Sequence, residues 1–241
     1  CWARDGFLYI GDWAPRKLLV ADVRDPRRPA IVGEGPLDGF GDGGCLRGKY
    51  CFAATGHHSR DPDKAAAEGH GHGLEIFDVS DPAKPAWVSR VKFPVAYEIS
   101  NDLWSARVGG DFCVVADTWN GLFVVDIGDP AKPSIAARAQ LPRRPQGDRP
   151  DPVGGVALAE GFIYAAGIYS GLYVIPAPGL AHPVERERDT PPRLAPAEAG
   201  AAQQADEAEF LAYRPDGQVR SVALRGDVAW AACGEAGLHA V

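Results

Sequence analysis

One strand-like segment recurs along this chain and limits the folds open to it. In its clearest form it runs Gly121-Leu122-Phe123-Val124-Val125-Asp126-Ile127-Gly128-Asp129-Pro130, followed by Ala131-Lys132-Pro133. Two near-copies are Gly73-Leu74-Glu75-Ile76-Phe77-Asp78-Val79-Ser80-Asp81-Pro82 and Lys17-Leu18-Leu19-Val20-Ala21-Asp22-Val23-Arg24-Asp25-Pro26. Shorter copies are Gly171-Leu172-Tyr173-Val174-Ile175-Pro176 and Gly237-Leu238-His239-Ala240-Val241. Each reads as a strand that leaves a glycine turn, stays apolar for about five residues, and stops at a turn signal. Recurrence of one strand predicts a repeat architecture, in which each unit buries its apolar surface against the next.

The segments around the copies share a grammar. A strand such as Val156-Ala157-Leu158-Ala159 comes first, then a short polar turn (Glu160-Gly161), a small apolar strand from Phe162 to Ala166, and a loop into the signature strand. A fourth strand follows the paired prolines, as in Pro133-Ser134-Ile135-Ala136-Ala137-Arg138-Ala139. The signature glycines Gly73, Gly121, Gly171 and Gly237 lie 48, 50 and 66 residues apart. Four short antiparallel strands per unit at this period predict an all-β fold, a β-propeller of four-stranded blades with five repeat units visible. The reading makes residues 1–241 a single domain, with insertions at about 56–72 and 185–211. It treats each glycine-led segment as an inner strand of a radial sheet. The glycines of Gly41-Asp42-Gly43-Gly44 and Gly154-Gly155 read as inter-blade turns. A helix-favouring stretch from Ala195 to Leu211 lacks an apolar stripe and reads as a mobile insertion. Position 1 is Cys, there is no Met, and the chain starts and stops inside its own repeat. These features lead us to expect part of a longer chain, with six or seven blades in the intact ring.

Composition narrows the functional classes. A formal net charge of -7 argues against nucleic acid as a partner, since a phosphate backbone calls for a concentrated basic surface. The arginines between Arg138 and Arg149 are broken by prolines and read as a solvated loop. No run of 18 apolar residues is present, so no transmembrane helix is predicted. Cys51 and Cys113 occupy the same register of neighbouring repeats. Equivalent strands of stacked sheets lie about 10 Å apart, so the two are expected not to pair.

Three sets of residues are candidates for function. The pairs Asp22 and Asp25, Asp78 and Asp81, and Asp126 and Asp129 suit structural turns, because Asp accepts from turn amides and the following Pro presets φ. Clustered carboxylates also suit a hard cation, but one turn per blade accounts for the recurrence. The loop of the second unit holds His57, His58, His70 and His72, with Asp61 and Asp63 among them. Imidazole and carboxylate donors suit zinc or another divalent transition metal, although a His- and Gly-rich loop is also simply polar. No cofactor is otherwise implied. Trp13, Trp119 and Tyr169 sit near loop apexes, where they either line a binding rim or pack on the neighbouring blade. No Gly-x-Ser-x-Gly, phosphate loop or dinucleotide fingerprint is present, so no catalytic residue is predicted.

The three strong copies, Leu-Leu-Val-Ala-Asp-Val-Arg-Asp-Pro, Leu-Glu-Ile-Phe-Asp-Val-Ser-Asp-Pro and Leu-Phe-Val-Val-Asp-Ile-Gly-Asp-Pro, resemble LVIVD repeats. The resemblance implies a propeller-like bacterial or archaeal protein, often secreted, periplasmic or on the cell surface, with no established catalytic motif. It departs at copy four, where Pro176 replaces the first Asp. The function it implies is a non-enzymatic scaffold binding a protein or carbohydrate, as a monomeric domain of a larger chain. The alternative is a metal-binding or metal-dependent enzyme using the histidine loop.

Overall fold

The computed structural model describes residues 2–13, 15–56, 72–94, 105–144, 147–159, 161–180, 211–213, 218–219, 221–225, 228–233 and 238–240. They form five antiparallel sheets in chain order. The first holds β1 (Trp2–Arg4), β2 (Phe7–Asp12), β3 (Lys17–Asp22) and β4 (Ala30–Pro36), and the second β5 (Phe40–Arg47), β6 (Tyr50–Gly56), β7 (Gly73–Asp78) and β8 (Ala86–Lys92). The third holds β9 (Ser105–Gly109), β10 (Phe112–Asp117), β11 (Gly121–Asp126) and β12 (Ser134–Ala139). The fourth holds β13 (Val153–Ala159), β14 (Phe162–Gly167), β15 (Gly171–Pro176) and β16 (Leu211–Tyr213), and the fifth β17 (Ser221–Arg225), β18 (Val228–Ala232) and β19 (Leu238–Ala240). The chain is a β-propeller, and each sheet is a blade. The one helical turn among the described residues is 3₁₀, Pro178–Leu180. No described helix is long and apolar enough to cross a membrane.

The continuous apolar runs are two alternating patterns interleaved. In β10 and β11, Cys113, Val115, Phe123 and Val125 pack towards the second blade, together with Phe52, Ala54, Leu74 and Ile76. Their neighbours Val114, Ala116 and Leu122 pack the other way, onto Val153, Val156, Ile163 and Ala165 of the fourth blade. The same division joins blades one and two through Leu18, Val20, Cys51 and Phe77. It joins blades four and five through Leu172, Ala166, Val222 and Ala231. Successive strand side chains point to opposite faces, so a blade stacked on both sides has no polar face to alternate with. Each fully buried Leu, Ile or Phe contributes about 1.5–3 kcal/mol relative to exposure.

In the first four blades the signature strands are the third of four, hydrogen-bonded on both sides, and β19 is the third of the three described strands of the fifth. Those of the first four blades are interior to their sheets but do not line the axis. That place belongs to the first strands, since β5 lies beside β9, β9 beside β13 and β13 beside β17. A cavity of about 310 Å³ is lined from all five blades by Trp2, Asp42, Ser105, Arg107, Gly154 and Ser221, among others. The glycines expected to be inter-blade turns therefore lie inside strands β5 and β13, at register shifts between Gly41 and Gly44 and between Val153 and Gly155. The reason is crowding near the axis. A Cβ on Gly41 would sit 2.6 Å from Gly11 Cα, and one on Gly44 would sit 2.4 Å from Trp2 Cζ2. Leu211, assigned from sequence to the second insertion, opens β16 instead. Of the first insertion, Gly56 ends β6 and His72 is described, while 57–71 lie outside the described residues, as do 185–210 of the second, including the stretch from Ala195 to Phe210.

The thiols of Cys51 and Cys113 are free and buried, and burial pushes both up from the ordinary thiol value. Gly41→Ala is expected to cost about 1–3 kcal/mol by overpacking, read as a lower midpoint in urea unfolding. Gly179→Ala, which meets nothing within 4 Å, should leave that midpoint in place.

Candidate functional site

Antiparallel order sorts the loops into two ends. The aspartate turns that join third to fourth strands lie at one end, with the turns joining first to second. The loops joining second to third strands lie at the other end, with the blade-to-blade connectors.

At the first end the chemistry is a repeated turn. The amides of Arg24, Ser80 and Gly128 donate to Oδ1 of Asp22, Asp78 and Asp126, and those of Arg27, Ala83 and Ala131 donate to Asp25, Asp81 and Asp129. Each Asp thus spends an oxygen on the amide two residues on, the Asx-turn bond. Backbone bonds from Arg28, Lys84 and Lys132 to the carbonyls of Asp25, Asp81 and Asp129 close the second turn of each pair. Hydrogen bonds from Arg24 hold the Asp22 carboxyl down at about 2, and the Lys49 ammonium does the same for Asp78.

The connector end carries buried charge. Glu75 stands on β7 where the repeats place Leu19, Phe123 and Tyr173, and it is fully buried. Its carboxylate accepts from the Asp38 amide (2.6 Å) and Trp87 Nε1 (3.2 Å), and pairs with Arg90 at 3.4 Å. Arg90 and Lys92 also reach Asp38, at 3.2 and 3.3 Å. These bonds pin the first connector to the second blade. Next to them, His72 Nε2 donates to Asp117 Oδ2 at 2.7 Å across the junction of blades two and three. Asn120 donates to the other oxygen of Asp117. Desolvation raises the carboxyls of both Glu75 and Asp117 above their ordinary values. His72 Nδ1 is buried and has no hydrogen-bond partner among the described residues.

Of the histidine-loop residues, His72 is the one the structure describes. His57, His58, His70, Asp61 and Asp63 lie outside the described residues. Among the described residues no group of three or more His, Cys, Asp or Glu side chains is placed to hold a metal ion.

The aromatic residues divide. Trp119 and Tyr169 are the middle residues of equivalent three-residue loops, between the paired ends Asp117 and Gly121 and the paired ends Gly167 and Gly171. Their ring centroids are 6.4 Å apart. Thr118 takes φ +33°, a backbone region rare for a β-branched residue. Asp151 fixes the second loop, accepting from the Tyr169 and Ser170 amides at 3.0 and 2.9 Å. Desolvation raises its carboxyl as well. The connector between β12 and β13 adds cations. The Arg144 guanidinium lies 5.0 Å from both ring centroids, and that of Arg149 lies 5.5 Å from Trp119. Tyr169 remains 50% exposed. Trp13 joins a separate cluster between blades one and two, 4.7 Å from Phe40, whose ring carries Arg16. Sequence reading placed the arginines in a solvated loop, because cation–π pairing across a blade junction leaves no local pattern. Glu75 did leave one, being a charge at a position where other copies are apolar.

The comparisons agree with this architecture. The LVIVD repeat model matches residues 69–92 and 102–140, which span the second and third signature strands. These two stretches are LVIVD repeats. No curated protein matches it. Among solved structures, U3-55K is similar with 13% identity and a TM-score of 0.61, over 97% of this chain and 59% of that one. BamB from Moraxella catarrhalis follows with 9% identity and a TM-score of 0.58, over 99% and 55%. A functionally unknown protein from Desulfotomaculum acetoxidans gives 7% and 0.59, over 94% and 59%. At such identities the likeness is one of fold. The chain spans little more than half the length of each of these three structures.

Two measurements check the buried charges. Asp117→Ala leaves the buried His72 Nε2 without its hydrogen-bond partner and is expected to cost about 1–3 kcal/mol, read from chemical unfolding. In a carboxyl ¹³C NMR titration, Asp22 and Asp78 should titrate near 2, so their stabilisation is present above about pH 4 and is lost as pH falls towards 2. Glu75, Asp117 and Asp151 should titrate above the ordinary carboxyl range and pull the other way. Their protonation favours the folded chain.

Proposed function

We propose that this LVIVD-repeat propeller is a non-enzymatic interaction scaffold, and that the connector end at the junction of blades three and four is its docking surface. One observation carries the reading: the Arg144 guanidinium lies against the rings of both Trp119 and Tyr169, with half of the tyrosine open to solvent. Trp, Tyr and Arg are the residue types that anchor protein interfaces. Loops seated on a rigid scaffold are where recognition residues concentrate. A scaffold role also fits the buried carboxylates. Glu75, Asp117 and Asp151 have perturbed pKa values, which elsewhere flag catalysis, but each holds a connector or loop in place. The resemblance to LVIVD-repeat proteins supports a place outside the cytoplasm and a protein partner rather than a carbohydrate one is favoured by the guanidinium-covered rings.

The test is a peptide array probed with the chain and with Trp119→Ala and Tyr169→Ala variants of unchanged circular dichroism. Loss of specific spots in both variants is the expected result. Spots that persist in both would remove this surface from the account.

A second reading, metal binding at the histidine loop, is favoured by one contact. A carboxylate on one ring nitrogen is how metal-ligating histidines are oriented, and Asp117 holds His72 Nε2 in this way with Nδ1 left over. Zinc titration of the metal-free chain by calorimetry decides it. Binding that disappears in His72→Ala supports the reading, and binding unchanged by that substitution refutes it.

A further inference from the structure

We infer that the outer face of blade five docks a second copy of this chain, which presents the open face of its blade one. The contact runs head to tail and lies apart from the connector-end surface proposed above.

Each blade has a forward face, turned to the next blade, and a back face, turned to the one before. The repeat marks the forward face with a leucine at the second position of every signature segment: Leu18, Leu74, Leu122, Leu172 and Leu238. The first four are at most 1% exposed, each in the core shared with the following blade. Leu238 is 64% exposed. Cross-strand partners share a face of the sheet, and the neighbours of Leu238 agree with it. Trp230 stands at the register of Tyr9, Phe52 and Val114, all buried under a following blade. In blade five it is 38% exposed, and Val228 beside it 36%. Ala223 and Ala240 flank the indole on its two partner strands. A contiguous apolar face of this kind marks a contact surface.

The matching face is at the other end of the chain. Forward faces are covered by back faces such as Cys51, Ala53 and Phe77 of blade two, or Cys113, Val115 and Phe123 of blade three, all fully buried. The register of β2 and β3 puts Leu8, Ile10 and Leu19 at the equivalent positions of blade one. They are apolar too, yet they stay half-buried. The four cores join successive blades, and none of them joins blade five to blade one. The chain spans little more than half of the solved propellers it resembles, so its own blade one does not come round to cover Leu238.

One molecule thus carries an open forward face and an open back face, the two halves of a contact it already makes four times internally. Such a pair is heterologous, and a second copy supplies what each face lacks. Continuity with the inter-blade cores sets the occupant, since blade one offers apolar side chains at the positions that cover a forward face elsewhere in the chain.

The experiment is sedimentation velocity of the whole chain from micromolar to sub-millimolar concentration. Reversible association that continues past the dimer is expected, because a head-to-tail contact leaves one face open at each end. Leu238→Glu should weaken it about tenfold or more, through the lost leucine burial. Leu19→Glu, on the opposite face, should do the same. The strand accommodates glutamate there, since blade two carries Glu75 at that register. Each variant alone is expected to be a monomer, and the two mixed should form a dimer of one of each. Lys84→Gln, on an exposed turn of blade two, should leave association unchanged. Leu8→Glu replaces Leu19→Glu if circular dichroism shows that the latter does not fold. A wild-type chain that stays monomeric, association indifferent to Leu238→Glu, or mixed variants that fail to pair overturns the inference. A monomer that Leu238→Glu makes easier to unfold in urea overturns it as well, and names the chain's own blade one as the occupant.

Discussion

Blades two, three and four are buried on two faces, and the rest of the structure depends on that condition. A sheet with a wet face can alternate polar and apolar residues, whereas a sheet between two neighbours cannot. The third strands answer with runs such as Leu122 to Val125, whose side chains divide between two inter-blade cores. Small residues on the second strands, such as Ala53, Ala116 and Ala166, bring neighbouring sheets close. Towards the axis even a methyl group is too large, and Gly11 meets Gly41 backbone to backbone.

A core built this way leaves its polar chemistry at the two ends. One end is uniform, with the same aspartate–amide bonds closing the turns of blade after blade. The other end is individual. The first and third connectors are tied down differently: the first by Glu75, Arg90 and Lys92 around Asp38, the third by Arg144 against the aromatic loops. Buried charges are costly unless fully partnered, and here they are spent on fixing where loops stand. Repetition makes the frame, and departures from repetition make the surface that can recognise something.

That division explains what could be read in advance. Glycine, an apolar run and Asp-x-x-Asp-Pro are local instructions, since turn geometry and strand length follow from neighbouring residues. The all-β class, the blades and the LVIVD likeness were therefore legible from Gly73, Gly121 and Gly171 and their sequels. Trp119 and Tyr169 were legible as apex residues for the same reason. Their partner Arg144 was not, because it approaches from a connector whose path depends on how two blades stack. The double glycines were misplaced on similar grounds. Gly154-Gly155 resembles a turn unless one knows that the strand carrying it lies at the axis.

By itself, then, the sequence determined the repeating unit, its strands and its turns, because those depend on contacts within a few residues or between adjacent strands. Tertiary structure alone decided which strand faces the axis and which histidine meets Asp117. It also decided that two arginines from a proline-broken connector would lie on aromatic rings. Those outcomes depend on packing between separate sheets, and no spacing along the chain encodes the distance across such a junction.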